Sequence, residues 1–211
     1  SIDFRRLNKL REGYGYKIKN GPLIENISSG TDGIFKIDFE SNDSKLLISL
    51  SDLIENKAVD SMKEGEHWVD HITFNKSGTK FSFLHRWETK TGGMYSRLYV
   101  SDSDGSNLNL LLDSGMASHF GWSNDGDLLV WGRPPRISTS LGKKNFVRKL
   151  LVPIYHALFK KSGIRQKISG DAFLLFKNNS NIFTKIGVGK LTEDGHATFH
   201  PSKKWLLSDT Y

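Results

Sequence analysis

From Gly33 onward the chain sets apolar and polar positions against each other in short runs, the pattern of half-buried strands rather than of long helices. Ile34-Phe-Lys-Ile-Asp-Phe39, the polar turn Ser41-Asn-Asp-Ser44 and Lys45-Leu-Leu-Ile-Ser-Leu50 predict a first β-hairpin. Ser51 to Glu66 is polar with helix-compatible stretches and reads as a connection between two sheets. The best-defined unit follows, with strands at about 71–75, 80–86, 96–102 and 108–112 and turn signals at Lys76-Ser-Gly78, Glu88-Thr-Lys-Thr-Gly-Gly93 and Ser103-Asp-Gly-Ser-Asn107. A second unit opens with strands near 119–123 and 127–132 and is completed by Ala172-Phe-Leu-Leu-Phe176 and Ile182-Phe-Thr-Lys-Ile-Gly187. A third supplies two strands after His196. The first thirty residues have no clear period and read as an extended or partly helical lead-in.

These units share a short motif: His71-Ile-Thr-Phe74, His119-Phe-Gly-Trp122 and His196-Ala-Thr-Phe199. A tight-turn position falls seven residues after each histidine, at Gly78, Gly126 and Lys203. Such an internal repeat of short antiparallel strands predicts an all-β chain built as a β-propeller, because radial repetition protects sheet edges. The chain holds an outer hairpin, two whole blades of four strands and half a blade, about three in all. Propellers close with about four to eight blades, so residues 1–211 read as a partial propeller domain, a fragment of a larger ring. A basic helical insertion, 134–169, interrupts the second blade.

Composition sharpens that insertion. The net charge is +7, yet between Gly132 and Gly170 there is no acidic residue, while Arg133, Arg136, Lys143, Lys144, Arg148, Lys149, Lys160, Lys161, Arg165 and Lys167 give ten positive charges. The remainder then carries 20 basic against 23 acidic residues, a net of −3. Phe146, Val147, Leu150, Leu151, Ile154, Leu158 and Phe159 recur at helical spacing, with Pro153 imposing a kink or a break. A helical hairpin on the rim with a solvated basic face is the plain reading; an anionic membrane surface is the partner that such a helix would otherwise suit. Nucleic acid is disfavoured, since no base-stacking aromatic array accompanies the charge. The absence of cysteine excludes disulfides and thiolate metal sites. No run of eighteen apolar residues and no secretory signal is visible, which points to a cytoplasmic location.

Strand geometry places the candidate chemistry. Folding the second strand back over the turn at 76–79 puts His85 beside or diagonal to His71. Arg86, Trp87 and Arg97 extend the same rim, and His71, His119 and His196 would face the channel as openers of innermost strands. The competing reading is structural: a histidine that opens an inner strand can simply bond the neighbouring blade. His67 and His200 read as surface residues of a linker and a turn, and His156 as a structural residue of the insertion. No Gly-x-Ser-x-Gly elbow, phosphate-binding glycine loop, His-Glu-x-x-His or calcium loop is present.

Asn75-Lys-Ser-Gly-Thr-Lys80 and His200-Pro-Ser-Lys-Lys-Trp205 resemble the repeat of the TolB-like propellers. Within that superfamily the series His71-Ile-Thr-Phe74, Phe83-Leu-His-Arg-Trp87, Arg97-Leu-Tyr-Val100, Asp104-Gly-Ser-Asn-Leu108, Ser118-His-Phe-Gly-Trp122 and Gly195-His-Ala-Thr-Phe199 is similar to the oligogalacturonate lyase group. The likeness covers about 33–132 and 171–211. It implies a seven-bladed propeller that cleaves uronate-containing oligosaccharides by β-elimination with a divalent metal, manganese by preference. Carried over, His85 would be the base, His119 and His196 metal ligands, Arg97 or Arg86 the partner of the uronate carboxylate, and His71, with Arg86 and Trp87, a substrate contact. The family's metal site also uses a glutamine near its last histidine; here Leu191-Thr-Glu-Asp-Gly195 offers Glu193 or Asp194 instead. The alternatives are a non-catalytic propeller that binds a protein or a polysaccharide, or another hydrolase or transferase role.

Overall fold

The computed structural model describes residues 2–11, 13–16, 29–123, 125–135 and 170–209. The alternating segments pair only with their neighbours in sequence, giving two four-stranded antiparallel sheets and two two-stranded hairpins. Contacts divide the chain into two units, Ser1–Gly115 and Met116–Tyr211.

The first unit begins with α1 (Phe4–Leu10), whose N-cap Asp3 accepts a hydrogen bond from the Arg5 amide at 2.8 Å. Leu7 is its buried residue, and Arg6 pairs with the buried Asp32. The strands β1 (Gly33–Ile37) and β2 (Ser44–Ser49) form the expected hairpin. Ser49 then caps α2 (Leu50–Glu55) in a capping box with Asp52, and a single 3-10 turn, Asp60–Met62, leads to the sheet. That sheet runs β3 (Glu66–Phe74), β4 (Lys80–Glu88), β5 (Met94–Asp102), β6 (Asn109–Leu112), in that order. The strand β3 starts five residues before the predicted position, so the supposed linker residue His67 lies inside it, buried.

The register fixes two faces, because paired residues point to the same side and successive residues alternate. His67, Val69, Phe83, His85, Trp87, Arg97 and Tyr99 share one face; Trp68, Asp70, Leu84, Arg86 and Leu98 share the other. On the first face Leu50 and Leu53 of α2, with Ile34 and Ile48 of the hairpin, pack against Val69, Phe81, Phe83 and Tyr99. The expected common rim of His85, Arg86, Trp87 and Arg97 is therefore split, with Arg86 on the opposite face from the other three.

In the second unit β7 (Ala117–Trp122), β8 (Leu128–Gly132), β9 (Ala172–Phe176) and β10 (Phe183–Ile186) form the other four-stranded sheet, and β11 (Ala197–Phe199) pairs with β12 (Leu206–Ser208). Every residue of the inner strand β8 is buried, which is why it reads as a continuous apolar run instead of an alternating one. Leu129, Trp131 and Phe173 centre the packing, with Leu175, Leu191 and Phe199 against them. Gly132 pairs with Ala172, and Arg133 donates through Nε and Nη2 to Asp171 at 2.8 and 3.1 Å. The insertion thus leaves and re-enters the sheet at one point, as expected from its place between the inner and outer hairpins. The helices expected in it lie outside the described residues, as does His156.

The repeat is visible in backbone conformation. Gly78 and Lys203 both adopt the left-handed conformation, at φ 71° and 61°, and each donates its amide back to the carbonyl three residues earlier, Asn75 and His200. The histidine itself sits at a bulge: pairing shifts between Asp70 and Thr73 in β3 and between Ala117 and Phe120 in β7.

Candidate functional site

The bulge in β3 determines where the first group of candidates lies. Without it, His71 would face Leu84, with His85 one place along. The extra residue pairs Asp70 with Leu84 and Val69 with His85, and sets His71 in a left-handed conformation at φ 55°. The predicted His71–His85 neighbourhood is therefore absent from the register. His85 instead meets His67, with Nε2 2.9 Å from His67 Nδ1, and its side chain is completely enclosed. Burial, with the charges of His67 and Arg97 behind it, pushes its pKa well below the ordinary imidazole value.

Arg97 is equally enclosed. Its Nε donates to Asp113 at 2.5 Å, while Nη1 and Nη2 donate to the carbonyls of Asn56 and Lys57 at 3.1 and 2.9 Å. Trp87 is buried between Tyr95 and His67 in stacked contacts and donates Nε1–H to Ser61 Oγ. In this arrangement Trp87, Arg97 and His67, which bonds the Met62 carbonyl at 2.9 Å, clasp the segment that links α2 to β3, and His85 lies enclosed behind His67.

On the other face Asp70 gathers three donors. Trp68 Nε1 donates to Oδ2 at 3.1 Å, while His71 Nδ1 and Arg86 Nε converge on Oδ1 at 2.9 and 3.0 Å. Burial alone would raise the Asp70 pKa, but the hydrogen bond from His71 and the Arg86 charge outweigh it and hold the carboxyl below its usual value. His71 stays partly exposed, whereas Arg86 is buried.

In the second unit two repeat histidines come together. His119 of β7 and His196, which immediately precedes β11, have ring centroids 3.9 Å apart at an interplanar angle of 45°. His119 Nδ1 donates to Asp194 Oδ1 at 3.0 Å, and His196 Nδ1 donates to Asp209 Oδ2 at 2.8 Å. Asp209 also accepts the His196 amide at 2.7 Å, and these hydrogen bonds from His196 lower its own pKa. The backbone allows the approach because residue 121 is glycine: a Cβ there would lie 2.8 Å from the Ala197 carbonyl oxygen.

All three repeat histidines therefore share one arrangement, an aspartate on Nδ1. A carboxylate accepts, so the neutral ring carries its proton on Nδ1 and keeps Nε2 as the basic nitrogen. The three aspartates were missed as partners. Asp70 adjoins the histidine it serves, whereas Asp194 meets His119 from 75 residues away and Asp209 reaches His196 only through the β11–β12 register. Among the described residues no group of three or more histidine, aspartate or glutamate side chains is arranged to hold a metal ion. Among the described residues His119 and His196 form a pair that no third side chain, Glu193 and Asp194 included, joins as a metal ligand. Among the described residues no helix is long and apolar enough to cross a membrane. No protein-family model matches the chain, and no curated protein matches it significantly.

Proposed function

We propose that this chain is part of a β-propeller of the TolB-like type that binds uronate-containing oligosaccharides and cleaves them by β-elimination, with His119 and His196 handling the protons. The observation that carries the reading is the pair itself: two adjacent imidazoles, each anchored through Nδ1 by an aspartate and each with Nε2 as its basic nitrogen. The meander sheets and the bulged histidines of the first two repeats, His71 and His119, support the propeller.

A base and an acid are what the elimination requires. Nε2 of one imidazole takes the proton from the carbon beside the uronate carboxylate. The electron pair left behind forms a carbon–carbon double bond and expels the glycosidic oxygen from the next carbon. That oxygen takes its proton from the second, protonated imidazole, so the pair exchanges charge states in each turnover. The aspartates hold both rings in orientation and balance the imidazolium.

The enclosure of His85 and Arg97 favours a second reading, a propeller that binds an acidic polysaccharide without cleaving it. Oligogalacturonides incubated with the protein separate the two. Ultraviolet absorbance of an unsaturated uronate, lost in His119→Ala and His196→Ala, supports cleavage; calorimetric binding without absorbance supports the binding module. Neither binding nor absorbance from any uronate oligosaccharide overturns both.

A further inference from the structure

His67 and His85 form a buried relay that the proposed chemistry does not use. Met62 O can only accept, so His67 Nε2, 2.9 Å away, carries the proton. His67 Nδ1 is then the acceptor, and the 2.9 Å contact to His85 must be a donation from His85 Nε2–H. Each neutral ring has one proton, which leaves His85 Nδ1 as a bare acceptor, buried and without a hydrogen-bond partner among the described residues. The relay thus runs His85 Nε2–H to His67 Nδ1 and His67 Nε2–H to Met62 O, with every proton position determined.

The relay ends on the strap that connects α2 to β3. Three side chains of one sheet face hold this strap: His67 on Met62 O, Trp87 on Ser61 Oγ, and Arg97 on the Asn56 and Lys57 carbonyls. The packing is close, since a Cβ on Gly65 would lie 3.1 Å from Trp87 and 3.2 Å from His67 Nε2. An added proton has two possible sites. On His85 Nδ1 it makes an imidazolium with no acceptor. On His67 Nδ1 it puts two N–H groups face to face and removes the acceptor of His85.

The surrounding charges do not relieve either form. Arg97 on β5 and Arg6 on α1 are cationic, Tyr99 on β5 is neutral, and Asp113 is engaged by Arg97. Glu66 on β3 favours a charged His67, but it is exposed, as are Asp52 and Glu55 on α2 and Asp60, Lys63 and Glu64 on the strap.

We propose that the strap, residues 56–65, is an acid-released cover: proton uptake by the His67–His85 relay detaches it and uncovers Trp87, His85 and Arg97 together. Both imidazoles have lowered pKa values in the closed form, burial being the main cause. The sign follows. Closure is fully favoured above the ordinary imidazole pKa of about 6.5 and weakens as pH falls below it, because the open form takes up protons first.

Amide hydrogen exchange against pH, corrected for the intrinsic rate, tests this in the intact protein. Opening coupled to one proton makes strap amides exchange about tenfold faster per pH unit below about 6.5, and two protons about a hundredfold. The strap should respond at higher pH than the β5 amides of Leu98 and Val100. A strap rate independent of pH overturns the proposal, and so does a strap that opens only together with β5. His85→Gln keeps an amide donor for His67 and removes one of the two titratable rings, so a two-proton strap profile should flatten to one proton. If that variant does not fold, nitrogen chemical shifts of the wild-type rings still decide: both must show the Nε2–H tautomer near neutral pH, and an Nδ1–H form of either refutes the relay.

Discussion

Where a carboxylate stands against Nδ1, as Asp70, Asp194 and Asp209 do, the imidazole proton is held there and Nε2 becomes the basic atom. Where a main-chain carbonyl stands against Nε2, as Met62 O does at His67, the proton sits on Nε2 itself and the ring serves as structure. This contrast sorts the histidines better than their sequence motifs do, since His85 belongs to a plausible Phe-x-His pattern and yet ends in the interior. Arg97 belongs with the structural group. Its guanidinium satisfies Asp113 and two main-chain carbonyls at once, a geometry that lysine, with one nitrogen, does not reproduce. Arg97→Lys and Arg97→Leu should both destabilise the first unit, by about 2–4 kcal/mol for the leucine variant from orphaned carbonyls and lost contacts. Urea unfolding checks this. A stable Arg97→Leu protein that loses only uronate cleavage would return Arg97 to the active site.

At the level of strands and turns, the pattern of polar and apolar positions was a good guide. The hairpin at 33–50, the four strands of the first unit, and the split of the second around the insertion are all found near their expected positions. Of the three expected turn positions, Gly78 and Lys203 of the first and third copies take the left-handed conformation. The bulges were not legible. A bulge adds one residue without altering the composition of the strand, yet it moved His85 from the expected place beside His71 to a pair with His67 on the covered face. The start of β3 was hidden for a related reason, because His67 and Asp70 are polar residues buried through specific partners, which periodicity scores as exposed. Close approach of β7 to β11 was equally invisible, although Gly121 is its requirement. Gly121→Ala should press on the Ala197 carbonyl, move β11 outward and separate the His119 and His196 rings. Loss of ring-to-ring contacts in proton NMR, with the β7–β8 pairing intact, is the expected result. An unchanged His119–His196 contact would show that the strand has room to give.

Across the whole chain, charge is distributed unevenly in a way that shape does not require. Ten basic residues and no acidic one lie between Gly132 and Gly170, against a net of −3 elsewhere. One of the ten, Arg133, is already neutralised by Asp171 at the point where the segment leaves the sheet. The pairing of Gly132 with Ala172 places the two flanks of the segment side by side, so it can be removed without lengthening any strand connection. Two polyanions would be drawn to it, an anionic lipid surface and an acidic oligosaccharide. They differ in their dependence on apolar contact. A basic segment whose sequence repeats Phe146, Leu150, Ile154 and Leu158 every four residues would gain from lipid hydrocarbon as well as from headgroup charge, at about 1 kcal/mol per basic residue near an anionic surface. Flotation with vesicles of mixed neutral and anionic lipid should therefore carry the protein upward, with binding falling as salt rises through the physiological range, since screening acts within about 8 Å there. Deleting residues 137–168 should abolish flotation, whereas Phe146→Ser with Leu150→Ser should weaken it at constant charge. Binding that persists after the deletion would locate the membrane contact elsewhere, and binding indifferent to the two serine substitutions would make the attraction purely electrostatic and equally open to an acidic glycan.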